Sequence, residues 1–467
     1  MKRLNKNLKE IINFLKENNL NKKNIDRVFS WDSKCIKSGQ VFVSIKTKGS
    51  KKYNYINEAI HKGAIAVISD TQIKKSSLLK DLPILYSKYL KDKNDELLNY
   101  IYNFPLKKIK VIGITGTDGK TSQLNLLAQS LSLSGERVGV ISSEGNGIYP
   151  KLDKTGYTTP RADILFNYFN KFRISKVNTI LIECSSQGLE QGRLNNIKFN
   201  ISILTNINGD HIDYHRSFKN YIKSKLILLN NTKEHIFINK DCFISMRNLK
   251  LITSRAKKHF YGISSNSHYK NKDLEITISN NYNISVISNI LKLNKTSTKK
   301  SLNIISRLKT VKGRNQFIKT RNKGTYIVDY AHTPSSLLTL LQSVNLYSMF
   351  SEGKIITVFG CGGDRDIWKR RAMGEISFQF SNYVILTDDN PRSENPMKII
   401  NDIKKGIKEK KNLLIIPSRK SAIHKAISLA HKNDYIVIAG KGNEDDILYK
   451  HKIIKHNDIK VLKAKLK

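Results

Sequence analysis

The sequence has few cysteines, no long apolar run and a deficit of acidic residues. Its 467 residues include only 4 cysteines, at positions 35, 184, 242 and 361. Their spacing matches neither a disulfide framework nor a zinc site. Free thiols in a reducing cytoplasm are therefore expected.

No apolar stretch reaches the length of a transmembrane helix. The first nineteen residues, MKRLNKNLKEIINFLKENN, are charged throughout and lack the apolar centre of a secretory signal. We therefore expect a cytoplasmic protein that neither crosses nor enters a membrane.

The deficit of acidic residues gives a formal net charge of +44, from 82 Lys and Arg against 38 Asp and Glu. Such a charge favours a nucleic-acid-binding protein, because clustered cations neutralise phosphates. The lysines, however, are spread over the whole chain beside abundant Ile and Asn, as a strongly AT-biased genome would produce. Most of the charge is therefore interpreted as solvated surface, and a basic nucleic-acid-binding P-loop protein remains the remote alternative.

The pattern of apolar runs predicts an α/β fold. A chain of this length is too long for one hydrophobic core. From KVIGITG (110–116) onwards, Ile/Val/Leu-rich runs alternate with helical patterns, which indicates a parallel sheet covered on both faces. Between about 243 and 300 the pattern weakens, and short β-like runs such as LEITIS (274–279) occur. A second series runs from TYIVDYAH (325–332) to YIVIAGKG (435–442).

We predict three domains: a small N-terminal α/β domain (1–105), a central P-loop-type parallel sheet with helices on both faces (106–320), and a C-terminal Rossmann-like domain (321–467). In open α/β sheets ligands bind beyond the carboxyl ends of the strands, so the polar strand endings are the candidate sites.

The stretch GITGTDGKTS (113–122) lies between a predicted strand and a predicted helix, which is the context of a phosphate-binding loop. It departs from the spacing G-x-x-x-x-G-K-[ST], because Ile114 stands where that pattern has its first glycine. Gly116 and Gly119 would let backbone N–H groups approach phosphate oxygens. Lys120 would reach the β- and γ-phosphates, and the Thr121 hydroxyl would bind Mg²⁺. The nucleotide interpretation is favoured over a plain turn.

This loop variant, G-T-x-G-K-[ST], is followed in order by YTTPRAD (157–163), IECSSQGLEQGR (182–193), TNINGDHIDYHRSFKNYIKSK (205–225), which ends on a lysine, KGR (312–314), DYAHTP (329–334), GCGGDRD (360–366), DNPR (389–392) and GKGNE (440–444). The series resembles the Mur ligase family over nearly the whole chain, most weakly before residue 105. The resemblance implies that the three domains bind, in order, a UDP-linked substrate, ATP and an amino acid.

The reaction implied by the resemblance is ATP-dependent amide formation through an acyl phosphate, with ATP and two Mg²⁺ ions. The implied substrates are UDP-N-acetylmuramoyl-L-alanyl-D-glutamate and meso-2,6-diaminopimelate, in peptidoglycan precursor synthesis. The same reaction with L-lysine, or a sister Mur or folylpolyglutamate ligase, remains an alternative. A monomer that binds no nucleic acid is expected.

The resemblance also implies roles for particular residues. The catalytic residues are Lys120, Glu183, His211 and Lys225, the last carbamylated into a carboxylate-like Mg²⁺ ligand. Together with Thr121, the last three are the expected metal ligands. The expected ATP-binding residues are Gly116, Thr117, Asp118, Gly119, Lys120, Thr121, Asn283, Arg314 and Asp329.

Each of the two substrates that form the amide bond has its own set of expected binding residues. The UDP-linked substrate is assigned to Ser33, Thr158, Thr159, Ser185, Gln191 and Arg193. Diaminopimelate is assigned to Arg370, Asp389, Asn390, Pro391, Arg392, Gly440 and Glu444. An arginine suits diaminopimelate, because its guanidinium grips the second carboxylate in a bidentate manner and lysine has no such group.

The chain also departs from the family pattern at single positions. Asp118 stands where Asn is commoner, and Ser335 replaces the Asp usual after DYAHTP. The other departures are Gln187, Val286 and Asn443.

Overall fold

The computed structural model describes residues 6–18, 28–45, 52–73, 82–88, 90, 97–99, 102, 105–195, 197–263, 275, 277–409 and 411–466. Strands and helices alternate over most of these residues, so the predicted α/β class is confirmed. Within the described ranges, no helix is both long and apolar enough to cross a membrane.

The chain forms two compact units. The first comprises Met1–Val111, Arg137–Ile180 and Gly188–Lys198. The second comprises Ile112–Glu136, Leu181–Gln187 and Phe199–Lys467, and it contains the phosphate loop. The predicted boundaries near 105 and 320 stay a prediction.

The N-terminal region has a parallel sheet whose described strands run in the order β1-β2-β3-β4. Residues of β2 and β3 are buried along their whole length, as expected for strands covered on both faces. A small core that includes Ile36, Phe42 and Ile56 lies against this sheet. The elements are α1 (Lys6–Glu17), β1 (Phe29–Ser30), β2 (Val41–Ser44), α2 (Lys52–His61), β3 (Ala66–Ser69) and β4 (Ile84–Tyr86).

The central sheet, over the described residues, has the strand order β12-β11-β10-β5-β9-β6-β7-β8. The strands β5, β10, β11 and β12 pair in parallel, whereas β6, β7 and β8 pair antiparallel. These strands are β5 (Lys110–Thr115), β6 (Val138–Ser142), β7 (Gly145–Ile148), β8 (Lys151–Asp153), β9 (Thr179–Glu183), β10 (Phe199–Leu204), β11 (Thr232–Asn239) and β12 (Lys257–Tyr261).

The helices of this region begin at recognisable signals. The Thr277 side chain accepts a hydrogen bond from the Asn280 N–H and so caps α9. The last two residues of LEITIS, which has a β-like pattern, therefore begin a helix. Residues 274 and 276 of LEITIS lie outside the described residues. The helices are α3 (Lys120–Leu133), α4 (Ala162–Ile174), α5 (Ser186–Glu190), α6 (Ile212–His215), α7 (Phe218–Asn230), α8 (Phe243–Arg247), the 3₁₀ turn Leu249–Leu251, α9 (Ile278–Leu293) and α10 (Thr298–Ser306).

The C-terminal sheet has the described order β13-β14-β18-β15-β16-β17, and all its pairs except β13–β14 are parallel. Its strands are β13 (Gln316–Lys319), β14 (Thr325–Asp329), β15 (Ile355–Phe359), β16 (Tyr383–Leu386), β17 (Leu413–Ile415) and β18 (Tyr435–Ala439). A separate hairpin joins β19 (Asp446–Leu448) and β20 (Ile453–Lys455).

Helices cover both faces of the C-terminal sheet. One core cluster packs Leu337, Met373 and Ile400 against the sheet, and the other packs Ile423 and Leu462. The sheet is therefore doubly wound, as the alternating pattern predicts. The helices are α11 (Pro334–Ser351), α12 (Trp368–Phe380), α13 (Pro396–Lys404), α14 (Arg419–Leu429) and α15 (Asp458–Leu466).

Candidate active site

The phosphate loop joins β5 to α3 and is shaped by two glycines. Gly116 has φ 154° and Gly119 has φ 81°, a region that L side chains rarely adopt. A Cβ at Gly116 would overlap the Thr205 side chain. Gly119 occupies the N-cap position of α3 and brings no side chain to it. The loop therefore ends at a helix N-terminus of the kind that binds phosphate through backbone N–H groups.

Residues at the end of β10 brace the loop. The Asn206 side-chain oxygen accepts hydrogen bonds from the Thr117 and Asp118 N–H groups, at 3.2 and 2.9 Å. The Thr205 hydroxyl donates to the Asp118 carbonyl oxygen at 2.6 Å. These bonds hold the loop backbone in one conformation.

Two lysine side chains meet at the loop. Lys120 Nζ donates to the carbonyl oxygens of Thr117 and Gly116, at 2.8 and 3.1 Å. Lys225 Nζ donates to the same Gly116 oxygen at 2.6 Å and lies 4.3 Å from the centroid of the Tyr221 ring. Lys225 is 1% exposed, and burial together with the charge of Lys120 lowers its pKa well below the usual lysine range. Its neutral amine form, which is the nucleophilic one, is therefore favoured.

A hydroxyl and a carboxylate lie together beside the loop. Thr121, in the first turn of α3, donates from Oγ1 to Glu183 Oε1 at 3.0 Å. Glu183 ends β9 and is 2% exposed. The two oxygen donors expected to bind Mg²⁺ are thus adjacent, although 62 residues separate them in the chain.

His211 follows β10 in a left-handed conformation, with φ 55°. Its Nε2 lies 3.3 Å from Asp210 Oδ2. Burial lowers the pKa of His211 to about 4 against the opposing effect of Asp210. Burial alone would raise the pKa of Asp210, but the neighbouring cationic groups, His211 first, hold it at about 2. The pair therefore consists of a neutral imidazole and a carboxylate at neutral pH, and a neutral imidazole is the metal-binding form.

A further contact joins the loop to the N-terminus of α11. The Asp118 carboxylate accepts hydrogen bonds from the hydroxyls of Thr333 and Ser335, at 2.9 and 2.7 Å. Thr333 is the N-cap of α11, where its side chain forms a reciprocal capping box with Ser336. An anion at a helix N-terminus is stabilised by the helix dipole. Asp118 and Ser335, each a departure from the family pattern, are therefore hydrogen-bonded partners.

Asp329 and Arg314, both expected near ATP, lie at the edge of the C-terminal sheet, where Asp329 ends β14 and Arg314 precedes β13. Asp329 accepts from the N–H groups of Asn315 and Ala331, at 2.6 and 2.7 Å. Burial raises its pKa despite these hydrogen bonds. The Arg314 guanidinium stacks 4.0 Å from the Tyr330 ring centroid. Asp329 thus orders the KGR turn that carries Arg314.

Asn283, the remaining residue expected at ATP, is buried in α9. Its carbonyl oxygen lies 3.5 Å from the Gln123 side-chain nitrogen of α3. This contact brings Asn283 to the helix that follows the phosphate loop.

Two residues of the predicted amine site share one polar cluster. Glu444 accepts hydrogen bonds from Asn390 Nδ2 at 3.0 Å, from Lys441 Nζ at 2.8 Å and from the Tyr330 hydroxyl at 3.0 Å. Burial raises the pKa of Glu444, but Lys441 and these hydrogen bonds outweigh it and hold the pKa low. Asp389 lies beside Gly440, where a Cβ would come 2.5 Å from its Oδ2. The ends of β16 and β18 therefore converge.

The two arginines of the predicted amine site differ in burial. Arg370 is fully buried, and its guanidinium is bidentate to Glu394, at 2.9 and 2.7 Å, with Asp402 at 3.2 Å. Arg392 follows Pro391, has φ 53° and donates to the Gly363 carbonyl oxygen at 2.6 Å. The structure places Arg370 in an internal ion pair and Arg392 at the turn of GCGGDRD.

The residues expected to bind the UDP-linked substrate are placed as follows. Arg193 donates to Gln191 and to the Thr159 carbonyl oxygen, which joins two of the predicted segments. Ser33 donates to Glu58 Oε2 at 2.7 Å. Thr158, next to Thr159, and Ser185, two residues after Glu183, are partly exposed.

A metal-binding cluster of three or more His, Cys, Asp or Glu side chains does not occur among the described residues. The predicted metal set draws instead on a threonine hydroxyl and a lysine. Its donors suit Mg²⁺ when the lysine carries a carbamate, since the set then includes two carboxylate-type groups. The adjacent Thr121 and Glu183 oxygens support this fit.

Comparisons with known proteins identify the family. Residues 114–305 match the family described as "Mur ligase middle domain", and residues 313–442 match "Mur ligase, glutamate ligase domain". The chain is also 33% identical to the UDP-N-acetylmuramoyl-L-alanyl-D-glutamate--2,6-diaminopimelate ligase of Clostridium botulinum, over 97% of both chains. The chain belongs to the Mur ligase family.

Other relatives agree. This Mur ligase is 34% identical to the UDP-N-acetylmuramoyl-L-alanyl-D-glutamate--2,6-diaminopimelate ligase of Wigglesworthia glossinidia brevipalpis, over 91% of this chain and 92% of the relative. A solved structure of a protein with that name matches with a TM-score of 0.63, 27% identity and 94% coverage of both chains. The MurF ligase of Thermotoga maritima in complex with ADP has a TM-score of 0.63 and covers 94% of this chain and 98% of its own. At 15% identity it shows the shared fold. The predicted family is thus confirmed.

Several residues of this Mur ligase that the structure places in the site were not predicted from the sequence. They are Asn206 and Thr205 behind the loop, Tyr221 under Lys225, Tyr330 and Lys441 around Glu444, and Glu394 opposite Arg370. Thr205, Asn206, Tyr330 and Lys441 stand within motifs already quoted, so their position beside a strand end was a usable signal. Glu394 carried no such signal.

Proposed function

We propose that this Mur ligase joins meso-diaminopimelate to the D-glutamyl carboxylate of UDP-N-acetylmuramoyl-L-alanyl-D-glutamate, with conversion of ATP to ADP and phosphate. The observation that carries the proposal is the phosphate loop, where Lys120, Thr121 and Glu183 meet beside the buried Lys225. The choice of substrates is supported by sequence identity above 30%, over most of the chain, to relatives named UDP-N-acetylmuramoyl-L-alanyl-D-glutamate--2,6-diaminopimelate ligase.

The first step is attack by the D-glutamyl carboxylate on the γ-phosphate. A new O–P bond forms while the bond to ADP breaks, which gives an acyl phosphate. Lys120 would shift from the loop carbonyls to the phosphate oxygens and stabilise their charge. The loop itself remains ordered because Asn206 and Thr205 hold its backbone.

Thr121, Glu183, His211 and a carbamylated Lys225 would hold Mg²⁺. When bound, the ion neutralises charge on the phosphate groups. The lowered pKa of Lys225 supports carbamylation, because only the neutral amine can attack CO₂. The Tyr221 ring and the Gly116 carbonyl oxygen orient that amine.

In the second step the amine of diaminopimelate attacks the acyl carbon, and phosphate leaves with formation of the amide. Arg392 would bind the distal carboxylate of the amino acid as a charge-assisted pair. Glu444 would accept a hydrogen bond from its distal ammonium, and Lys441 and Asn390 fix the orientation of that carboxylate. Arg370, whose two terminal nitrogens are bound by Glu394 and Asp402, would support the site without binding the amino acid itself.

We further propose that the protein acts as a monomer in the cytoplasm. ATP as the phosphoryl donor and the free state of all four cysteines support that location. The net charge is assigned to solvated surface.

The test is phosphate release with ATP, Mg²⁺, the UDP-linked dipeptide and one of two amino acids. We expect release with meso-diaminopimelate and little with L-lysine. Release with lysine alone would overturn the specificity, and release with neither would overturn the ligase assignment. Lys120→Ala is the matched negative control, since it removes the phosphate-binding ammonium.

A further inference from the structure

The loop that carries His211 has an unusual backbone. His211 adopts φ 55° and ψ 30°, immediately before the four-residue helix α6. This left-handed conformation is unfavourable for a residue with a Cβ. Neighbouring groups must therefore hold it in place.

The side chain of Asp366, from the segment GCGGDRD, supplies that support. Its Oδ2 accepts a hydrogen bond from the Ile212 N–H at 3.2 Å, and its Oδ1 accepts one from the Asp213 N–H at 3.0 Å. These are the first two N–H groups after His211, and the first N–H groups of a helix have no partner within it. Asp366 is 8% exposed, so solvent weakens these bonds little.

Two neighbours of Asp366 contact the same loop. Lys369 Nζ lies 4.0 Å from Asp210 Oδ1, and both side chains are buried. The Trp368 ring packs on Gly209, where a Cβ would come 2.8 Å from Cζ2. Residues 366–369 therefore contact residues 209, 210, 212 and 213, which surround His211 on both sides.

The segment that makes these contacts is itself anchored. The next residue, Arg370, is fully buried and bound by Glu394 and Asp402, and α12 begins at Trp368. Asp366 is thus fixed relative to the C-terminal sheet, and its two oxygens can hold the His211 loop without moving.

We propose that Asp366 is a positioning residue, which holds the His211 imidazole in the orientation required for the metal-bound nucleotide. The proposal rests on the proposed function in one respect, the assignment of His211 as a Mg²⁺ ligand. Asp366 acts through the backbone of residues 212 and 213, whose N–H groups bind its two carboxylate oxygens. The segment that carries the predicted amine-site residue Arg370 thereby also sets the geometry of the phosphoryl-transfer site.

The test compares Asp366→Asn, which keeps the shape and one acceptor oxygen, with Asp366→Ala, which keeps neither. The matched control is Glu375→Gln in α12, because Glu375 is exposed and pairs only with Arg371 among the described residues. The first readout is amide exchange measured by mass spectrometry. Peptides covering 211–215 should exchange at least about 10-fold faster in Asp366→Ala, with a smaller change in Asp366→Asn, while peptides of β10 and α7 keep their protection.

The second readout is the affinity for Mn²⁺ in the presence of ADP, followed by the EPR signal of the free ion. We expect about a 10-fold weaker affinity in Asp366→Ala, as is usual when a group that orients a metal ligand is lost, and no change in Glu375→Gln. Unchanged exchange at 211–215 together with unchanged Mn²⁺ affinity would overturn the proposal, as would loss of protection throughout the chain.

These readouts separate the two proposals. If the wild-type protein has no ligase activity, but exchange and Mn²⁺ affinity are altered in Asp366→Ala, the role of Asp366 stands and the function is refuted. If the wild-type protein has full ligase activity, but neither readout is altered in Asp366→Ala, the role of Asp366 is refuted and the function stands.

Discussion

Removal of the Asp458 charge should destabilise the C-terminal sheet and weaken amine binding. Arg419 and Asp458 are both fully buried and form a bidentate pair, Nε to Oδ1 at 2.8 Å and Nη2 to Oδ2 at 2.8 Å. His456 Nε2 lies 2.8 Å from the same carboxylate. Arg419 also lies within hydrogen-bonding reach of the Asp388 and Ala439 carbonyl oxygens, which precede the predicted amine-site residues 389 and 440.

The magnitude follows from the burial of both charges. Breaking a buried ion pair by removing one partner costs about 3–5 kcal/mol, because the other charge is left uncompensated. Asn keeps the shape and one acceptor, so we expect about 3 kcal/mol for Asp458→Asn at the lower end of that range. For a folding unit of the size of the predicted C-terminal domain (321–467), this lowers the melting temperature by roughly 6–12 °C.

The assay is thermal and urea unfolding followed by tryptophan fluorescence in a Trp31→Phe background, which leaves Trp368 of α12 as the reporter. The KM for diaminopimelate should rise in the same variant. The control, Arg419→Met/Asp458→Leu, replaces both charges by apolar groups and should recover most of the stability. A shift below about 2 °C for Asp458→Asn, or a double variant as unstable as the sum of the singles, would refute the reasoning.

The same pair predicts a dependence on pH. Burial alone would raise the pKa of Asp458, but Arg419 and His456 hold it well below its ordinary value. An aspartate whose pKa is depressed in the folded state stabilises the protein above its unfolded pKa of about 3.9 and loses that contribution as the pH falls further. Wild-type stability should therefore decline below about pH 4 more steeply than that of Asp458→Asn.

Three further variants test the site. Lys225→Ala should lower turnover by about 100-fold or more, and added formate or acetate should restore part of it if the side chain acts as a carbamate; no rescue would argue against the carbamate. Arg392→Ala should raise the KM for diaminopimelate by about 10- to 100-fold while acyl-phosphate formation, trapped with hydroxylamine, is unchanged; equal loss of both would contradict its role. Ser335→Ala removes the 2.7 Å hydrogen bond to Asp118 and should lower kcat/KM for ATP about 10-fold, with little added loss in Asp118→Ala/Ser335→Ala; additive losses would show that the two side chains act independently.

Most strands of the two larger sheets could be predicted, because a strand buried on both faces needs a continuous apolar run. The β7–β8 hairpin could not. Gly145 and Gly147 weaken a strand pattern, yet here they allow close approach of backbone, since a Cβ on either would press on the carbonyl oxygen of Asp153 or Lys151. In the sequence alone, glycine therefore argues against a strand, whereas in this close-packed hairpin it is what allows the strands to pair.

The phosphate loop and the strand-end residues were also within reach of the sequence. Parallel strands joined by crossover helices place their carboxyl ends at one edge of the sheet, so polar residues after β5, β9 and β10 converge whatever the details of packing. Lys120 and Thr121 follow from the loop pattern, whereas the roles expected of Glu183 and His211 came from the resemblance to the Mur ligase family.

The sequence by itself determined the class of fold and the family, and it predicted the strand ends that carry the candidate site. Tertiary structure alone decided which groups form hydrogen bonds with one another. Asp118 pairs with Ser335 across 217 residues, Asp366 with the His211 loop, and Arg370 with Glu394. The physical reason is that burial and periodicity are local properties of the chain. A hydrogen bond between distant loops depends instead on backbone conformations and packing that are settled only when the whole unit has folded.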